Sequence, residues 1–285
     1  MKRALVLGGG GGVGIAWETA MLAGLLDGGL DARAADLIIG TSAGSVVGAS
    51  IAHGRDPREL MRDLASSGSG GGNNVPPDPT DVAAVFRLWG SFDEMTEENR
   101  AAVGKLAMAA NTVPQDQWLE GFAQYGWPAW PETPLLIAAV DCESGALRAF
   151  SRDDGVPIER AVAASCAVPG LFPAVTIDGR HYTDGGVRSW TSADLALRVA
   201  PDNVLIVAPA GDEGPGVRGL AARQVAAEVA MLESAGVSVR LITFDEAARE
   251  AGQNLMDRAA MPAAAAAGAS HARQIAAELS EWWRG

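Results

Sequence analysis

The sequence predicts an α/β protein: a three-layer α/β/α sandwich around a mainly parallel sheet, with a helical insertion after the second helix. Three observations predict it. Apolar runs of strand length recur at 3–7, 36–39, 135–140, 204–208 and 238–243, interleaved with longer segments of helical character. Glycine clusters stand at the junctions, as at 8–12 and 28–29. From 56 to 130 the strand signal lapses while large apolar side chains continue.

Taken in order, 3–7 reads as a short buried strand that the run Gly8 to Gly12 ends. A helix follows, with Trp17, Met21 and Leu25 at four-residue spacing and Asp27-Gly28-Gly29 closing it. The second strand, 36–39, runs into Gly40-Thr41-Ser42-Ala43-Gly44, and the next helix extends to about His53. Within 56–130 a Gly/Ser/Pro-rich loop at 66–79 leads into helical segments bearing Phe86, Leu88, Trp89, Phe92, Met95, Trp118 and Phe122. Strands resume at 135–140 and 146–150, and a hairpin pairs 174–177 with 180–183 across Asp178-Gly179. Strands at 204–208 and 238–243 then alternate with helices at 216–235 and 262–283. The pairs Asp153-Asp154 and Glu97-Glu98 are expected to face solvent, and Trp282-Trp283 to bury the last helix's apolar face.

With 285 residues, 48% of them hydrophobic, the chain can bury a large core as one domain or as one domain with an insertion. No run reaches the ~18 apolar residues that a spanning helix needs. The apolar stretch 4–7 is too short for a signal-peptide core. Cys142 and Cys166 form neither a metal pattern nor a disulfide framework, which predicts a reducing, cytoplasmic setting. A net charge of −13 argues against nucleic acid and against lasting attachment to anionic membranes, leaving transient contact with a lipid surface open.

The segment 40–44 has the G-x-S-x-G form of a nucleophile elbow, which forces a serine onto a sharp strand-to-helix turn. Gly40 and Gly44 leave room beside it, and Ser42 stands where the helix dipole favours developing negative charge. The glycine run has three readings. Gly9-x-Gly11-x-x-Gly14 satisfies the dinucleotide fingerprint, but that site wants an acidic residue ending the next strand, which here ends in Gly40-Thr41-Ser42. No Lys-Ser/Thr follows, which removes the phosphate-binding P-loop. The third is an oxyanion hole, in which unobstructed amides face a tetrahedral intermediate and each donor is worth ~3 kcal/mol. A tight turn without chemistry explains one or two glycines better than five in succession.

A serine nucleophile needs a proton acceptor. His53 lies ~16 Å along the helix axis from Ser42. His271 sits in a late Ala-rich helix whose local sequence reads as surface, and His181, three residues before Asp184 in extended chain, points to the opposite face. Asp184, after a hairpin arm and before two glycines, is the better candidate, although alone Asp184-Gly185-Gly186 reads as a turn. A histidine base predicts a pH limb near ~6.5 that an Asp base need not show.

Four segments then occur in a telling order: Leu5-Val6-Leu7-Gly8-Gly9-Gly10-Gly11-Gly12-Val13-Gly14, Gly40-Thr41-Ser42-Ala43-Gly44, Ala163-Ala164-Ser165-Cys166-Ala167-Val168-Pro169-Gly170-Leu171-Phe172-Pro173, and Tyr182-Thr183-Asp184-Gly185-Gly186. In these the chain resembles the patatin-like phospholipase family. The resemblance covers roughly 3–53 and 134–208 and implies a patatin-like fold, so the chain reads as one catalytic domain over 1–285; the Trp, Phe and Met residues of the insertion 56–130 read either as a lid or acyl-chain wall or as core. It implies a Ser–Asp dyad without histidine, Ser42 as nucleophile and Asp184 as base, and an oxyanion hole from Gly9, Gly10 and Gly11. Gly14, Gly40, Gly44, Gly185 and Gly186 complete the motifs. The implied activity is hydrolysis of lipid acyl esters, with no cofactor and no metal.

The chain departs from the family at two places. Val13 stands where Arg or Lys is usual, so recognition of a charged head group loses its side chain. Val187-Arg188-Ser189-Trp190-Thr191-Ser192 follows the last motif where Asn and Pro are frequent. Two other readings remain: acyl transfer to an acceptor other than water, and a non-catalytic lipid- or nucleotide-binding module using Gly9-x-Gly11-x-x-Gly14.

Overall fold

A computed structural model describes residues 1–66, 77–209 and 215–285. The chain opens with β1 (Arg3–Leu7), α1 (Gly11–Asp27), β2 (Leu37–Thr41) and α2 (Ala43–Ala52). Four helices follow: α3 (Pro57–Ser66), α4 (Pro79–Trp89), α5 (Glu97–Ala109) and α6 (Gln115–Ala123). Then come β3 (Leu135–Asp141), β4 (Leu147–Phe150), α7 (Ile158–Ser165), β5 (Val175–Ile177) and β6 (Arg180–Asp184). The last part holds β7 (Asn203–Ala208), α8 (Gly216–Ser234), β8 (Ser238–Thr243), α9 (Glu246–Ala251) and α10 (Met261–Arg284). Most of the glycine-rich loop expected at 66–79 lies outside the described residues.

The eight strands form one sheet in the order β5-β6-β3-β2-β1-β7-β8, with β4 also on β3. Strands β3, β2, β1, β7 and β8 run parallel; β4 and β6 pair antiparallel with β3, and β5 with β6. β1 and β7 are apolar on both faces because helices cover both sides. Alternation sorts the side chains into two cores. Leu5, Leu7, Ile38, Leu205 and Val207 pack toward α1, α2 and α10, with Trp17, Met21 and Trp283. Ala4, Val6, Ile39, Val204 and Ile206 pack on the other face with Leu195 and Leu232. That is the three-layer sandwich the sequence predicts.

Two features of the topology place the site. The chain leaves β1 for β2 on one side, while β7 pairs on the other, so the strand order reverses at β1 and a crevice opens beyond the carboxyl ends of these strands. The second feature concerns β3. Its residues Ile137 to Val140 pair with β4 along one edge, so β2 and β6 share the opposite edge, end to end. Thr41 ends opposite Ala138 and Asp184 opposite Ala139. Two segments 143 residues apart in sequence are thereby brought tip to tip.

Three expectations need correction, and two helices are additions to the sequence reading. Helices α7 and α9 carry no sequence prediction. Asp154 is not a solvent-facing side chain: it pairs with Arg148 at 2.5 Å and accepts the Ser151 amide at 2.7 Å. His271 is half-buried rather than a surface residue. Trp283 is buried as expected, but Trp282 is only half-buried and donates its indole N–H to Ser238 Oγ at 2.8 Å. No described helix is long and apolar enough to cross a membrane.

Candidate active site

Ser42 occupies the turn between β2 and α2 at φ 52°, ψ −119°, a conformation that costs a residue with a Cβ ~1–3 kcal/mol and persists only where surroundings impose it. The surroundings do. The Ser42 amide donates to Ser165 Oγ at 2.9 Å, and the Ser42 carbonyl accepts from Ser45 Oγ at 2.7 Å and Cys166 Sγ at 3.2 Å. The Gly44 amide donates to the Gly8 carbonyl at 2.9 Å, tying the elbow to the glycine run. A Cβ on Gly44 would overlap the Leu7 carbonyl, which is why this position takes glycine.

Asp184 ends β6, with its amide and the Thr183 hydroxyl both donating to the Ala167 carbonyl, at 3.0 and 2.7 Å. The tip of α7 therefore holds both partners: Ser165 and Cys166 grip the elbow while Ala167 grips the strand of the acid. The sequence quotes this segment as a motif without revealing its task. Asp184 Oδ1 accepts the Gly186 amide at 2.7 Å, whereas Oδ2 is buried with no hydrogen-bond partner among the described residues. Burial raises the Asp184 pKa to about 7 against the lowering effects of the Ser42 hydroxyl and the Gly186 amide. A limb near neutral pH is then what an Asp184 base itself gives, so the expected contrast with a histidine base disappears.

The glycine run turns at the carboxyl end of β1. Gly8 N–H donates to the Val207 carbonyl and Gly9 N–H to the Trp190 carbonyl, at 2.9 and 2.8 Å. The Gly9 amide is therefore engaged, while the amides of Gly10 and Gly11 have no partner among the described residues. Both lie at the start of α1, where unpaired amides and the helix dipole favour an anion. Gly14 passes Pro209 and Ala43 closely enough to seat α1 against the elbow.

Gly9, Gly10, Gly11, Ser42, Asp184 and Gly186 line one cavity of about 670 Å³. Its walls are largely apolar, with Val82, Phe86 and Trp89 from α4, Val168 and Leu171 beyond α7, Trp190, Val217, Leu255 and Met256, while Arg218, Gln253 and Asn254 add polar side chains. Of the expected insertion, α4 faces the cavity, while Trp118 and Phe122 of α6 pack with the main core instead. None of the three histidines lines the cavity. His53 bridges the carbonyls of Ala49 and Ala129, and His181 pairs with Glu143. Val13 is fully buried and contributes nothing to the walls. One buried acid escapes the sequence reading: neither oxygen of Glu18 of α1 makes a hydrogen bond of normal geometry among the described residues, and burial holds its carboxyl well above the usual range against a lowering by the Gly8 amide. Among the described residues no group of three or more His, Cys, Asp or Glu side chains is placed to hold a metal ion.

An elbow serine, a buried acid and a glycine-rich helix start on one α/β sheet define the class, and the comparisons narrow it. The family model for patatin-like phospholipase matches residues 5–197. The chain belongs to the patatin-like phospholipase family. Among solved structures, VipD from Legionella pneumophila is similar over 96% of this chain and 66% of its own, with 16% identity and a TM-score of 0.47. The type III effector protein ExoU is similar over 96% of this chain and 53% of its own, with 15% identity and a TM-score of 0.40. The chain thus spans less than two thirds of each. No curated protein matches its sequence.

Proposed function

We infer that this protein is a serine acyl hydrolase acting on carboxylic esters of lipids. Family membership supports the lipid class. The observation that carries the chemistry is the convergence of Ser42, Asp184 and the glycine loop on one apolar cavity. In this reading Asp184 Oδ2, buried and unpartnered, takes the Ser42 hydroxyl proton as Oγ attacks the ester carbonyl. The amides of Gly10 and Gly11 receive the oxyanion, and Asp184 returns the proton to the leaving alcohol. Water then releases the acyl group by the reverse path. A carboxyl with a pKa of about 7 suits both halves, since it accepts and donates near neutral pH. The apolar wall from α4 receives the acyl chain, and a single domain with α4 as its wall is the organisation we favour.

The test is hydrolysis of p-nitrophenyl esters of increasing chain length by the wild type, Ser42→Ala and Asp184→Asn. Turnover by the wild type and a loss of ~10³-fold or more in both folded variants is the expected result. A wild type that hydrolyses no ester and a Ser42 that a fluorophosphonate leaves unlabelled would overturn it in favour of a binding module.

A further inference from the structure

The segment after Asp184-Gly185-Gly186 departs from the family pattern, and the structure gives it a task. Trp190 reaches back to the glycine run in two ways. Its carbonyl accepts the Gly9 amide at 2.8 Å. Its indole lies against the same residue, 3.4 Å from where a Cβ on Gly9 would stand. The segment is itself bent tightly, with buried Ser192 at φ 52°. What imposes that bend is one carboxylate on α8. Glu228 accepts from Ser189 Oγ at 2.6 Å, from Thr191 Oγ, and from the Ala193 amide at 3.1 Å. Ser189 Oγ in turn accepts the amides of Ser192 and Thr191, at 2.8 and 3.3 Å. Gln224, one helical turn earlier, donates to the Arg188 carbonyl at 2.8 Å.

We propose that Glu228 is a positioning residue for the oxyanion hole: it clasps 189–193, sets the Trp190 carbonyl against Gly9, and so orients the Gly10 and Gly11 amides toward the reacting carbonyl. The assignment rests on the hydrolase reading above for its chemistry but not for its geometry. A hydrogen bond to the Gly9 N–H fixes the rigid peptide plane between Gly8 and Gly9, which anchors the chain one residue before the Gly10 amide, and the Trp190 indole against Gly9 restricts the turn that leads on to it. The amides of Gly10 and Gly11 are then preorganised, which is what makes such donors effective in the transition state. Trp190 also lines the cavity, and α8 packs on α4 through Leu220 against Val85 and Trp89, so the oxyanion role is read from kcat and from the affinity for a tetrahedral adduct. The clasp also explains how the chain tolerates the altered sequence after Asp184: six residues of loop are held by a carboxylate 39 positions from Ser189.

The experiment compares Glu228→Ala and Glu228→Gln with the wild type in two arms. The first is hydrogen exchange of the peptide covering 8–14, with 135–141 as an internal reference. Faster exchange over 8–14 in Glu228→Ala, an unchanged reference and partial rescue by Gln are expected. The second is ester kinetics together with binding of an acyl trifluoromethyl ketone, which forms a tetrahedral adduct. A ~10- to 100-fold fall in kcat that exceeds any change in KM, with an equal loss of ketone affinity, is expected. Unchanged exchange over 8–14 in a folded variant overturns the proposal, as does a loss confined to KM with kcat unchanged. Should Glu228→Ala fail to fold, Glu228→Gln decides by the same two readouts. A wild type without ester turnover counts against the hydrolase reading, and the exchange arm still decides the clasp.

Discussion

Asp184 carries one satisfied oxygen and one that is buried without a partner among the described residues, and that asymmetry sets its chemistry. Removal from water disfavours the anion, so its pKa stands at about 7 rather than 3.8. If Asp184 is the base, kcat/KM rises with pH, reaches half its plateau near pH 7 and stays flat above. A pH–rate profile measured at two temperatures checks it: a carboxyl limb hardly moves on warming, whereas an imidazole limb shifts down. The same shift bears on stability. Between about pH 4 and pH 7 the folded chain keeps a proton that the unfolded chain has released, so stability from this group falls as pH rises through that window. Asp184→Asn is therefore stabilising at pH 8, on the order of 1–4 kcal/mol, and close to neutral at pH 4. Urea unfolding at the two pH values measures this, and equal effects at both would contradict the assignment.

At the scale of elements, α2 approaches β1 so closely that the elbow depends on one missing methyl. A Cβ on Gly44 would meet the Leu7 carbonyl, and backbone cannot yield as a side chain can. Gly44→Ala is expected to cost ~3 kcal/mol or more. Gly48, one turn on, meets side-chain atoms instead, Ile38 Cγ2 at 3.2 Å, Leu7 Cδ1 at 3.5 Å and Leu135 Cδ1 at 3.7 Å, so Gly48→Ala stays within ~1 kcal/mol of wild type as helix propensity offsets the crowding. Equilibrium unfolding of the two variants checks the contrast. Elements such as these are legible in sequence for a local reason. β1, β2 and β7 are unbroken apolar runs because both their faces are covered, and the elbow announces itself through glycines at fixed offsets. Helix α7 is not legible because it spans only Ile158–Ser165: Glu159 and Arg160 give it a polar side, but about two turns are too few to display a helical period. Ser165, Trp190 and Glu228 are hidden for another reason: their partners lie 35 to 181 positions away, and no local pattern encodes such distances.

At the scale of the molecule, the matched family region ends at residue 197, yet the sheet and the core do not. β1 is paired on one side by β7, which lies beyond that limit, and α1 is covered by α10. The two helices run side by side in the same direction: Trp17 meets Gly268, Gly24 meets Ala272, and Gly28 meets Ala276. Glycine opposite alanine lets their backbones approach closely, so α10 seals the side of the core that holds Trp17 and Met21. Ala272 is fully buried and stands apart from the cavity residues. Ala272→Leu forces an isobutyl group into the Gly24 contact and is expected to cost ~1–3 kcal/mol. For a chain of this size that lowers Tm by ~2–4 °C per kcal/mol. At temperatures where the variant is folded, kcat per folded molecule should remain that of the wild type, because nothing in this seam reaches the elbow or the clasp. Thermal unfolding paired with ester kinetics at 20 °C separates the two outcomes. A fall in kcat without a fall in Tm would mean that α1, whose first turn is the glycine loop, transmits a displacement along its length to Gly10 and Gly11.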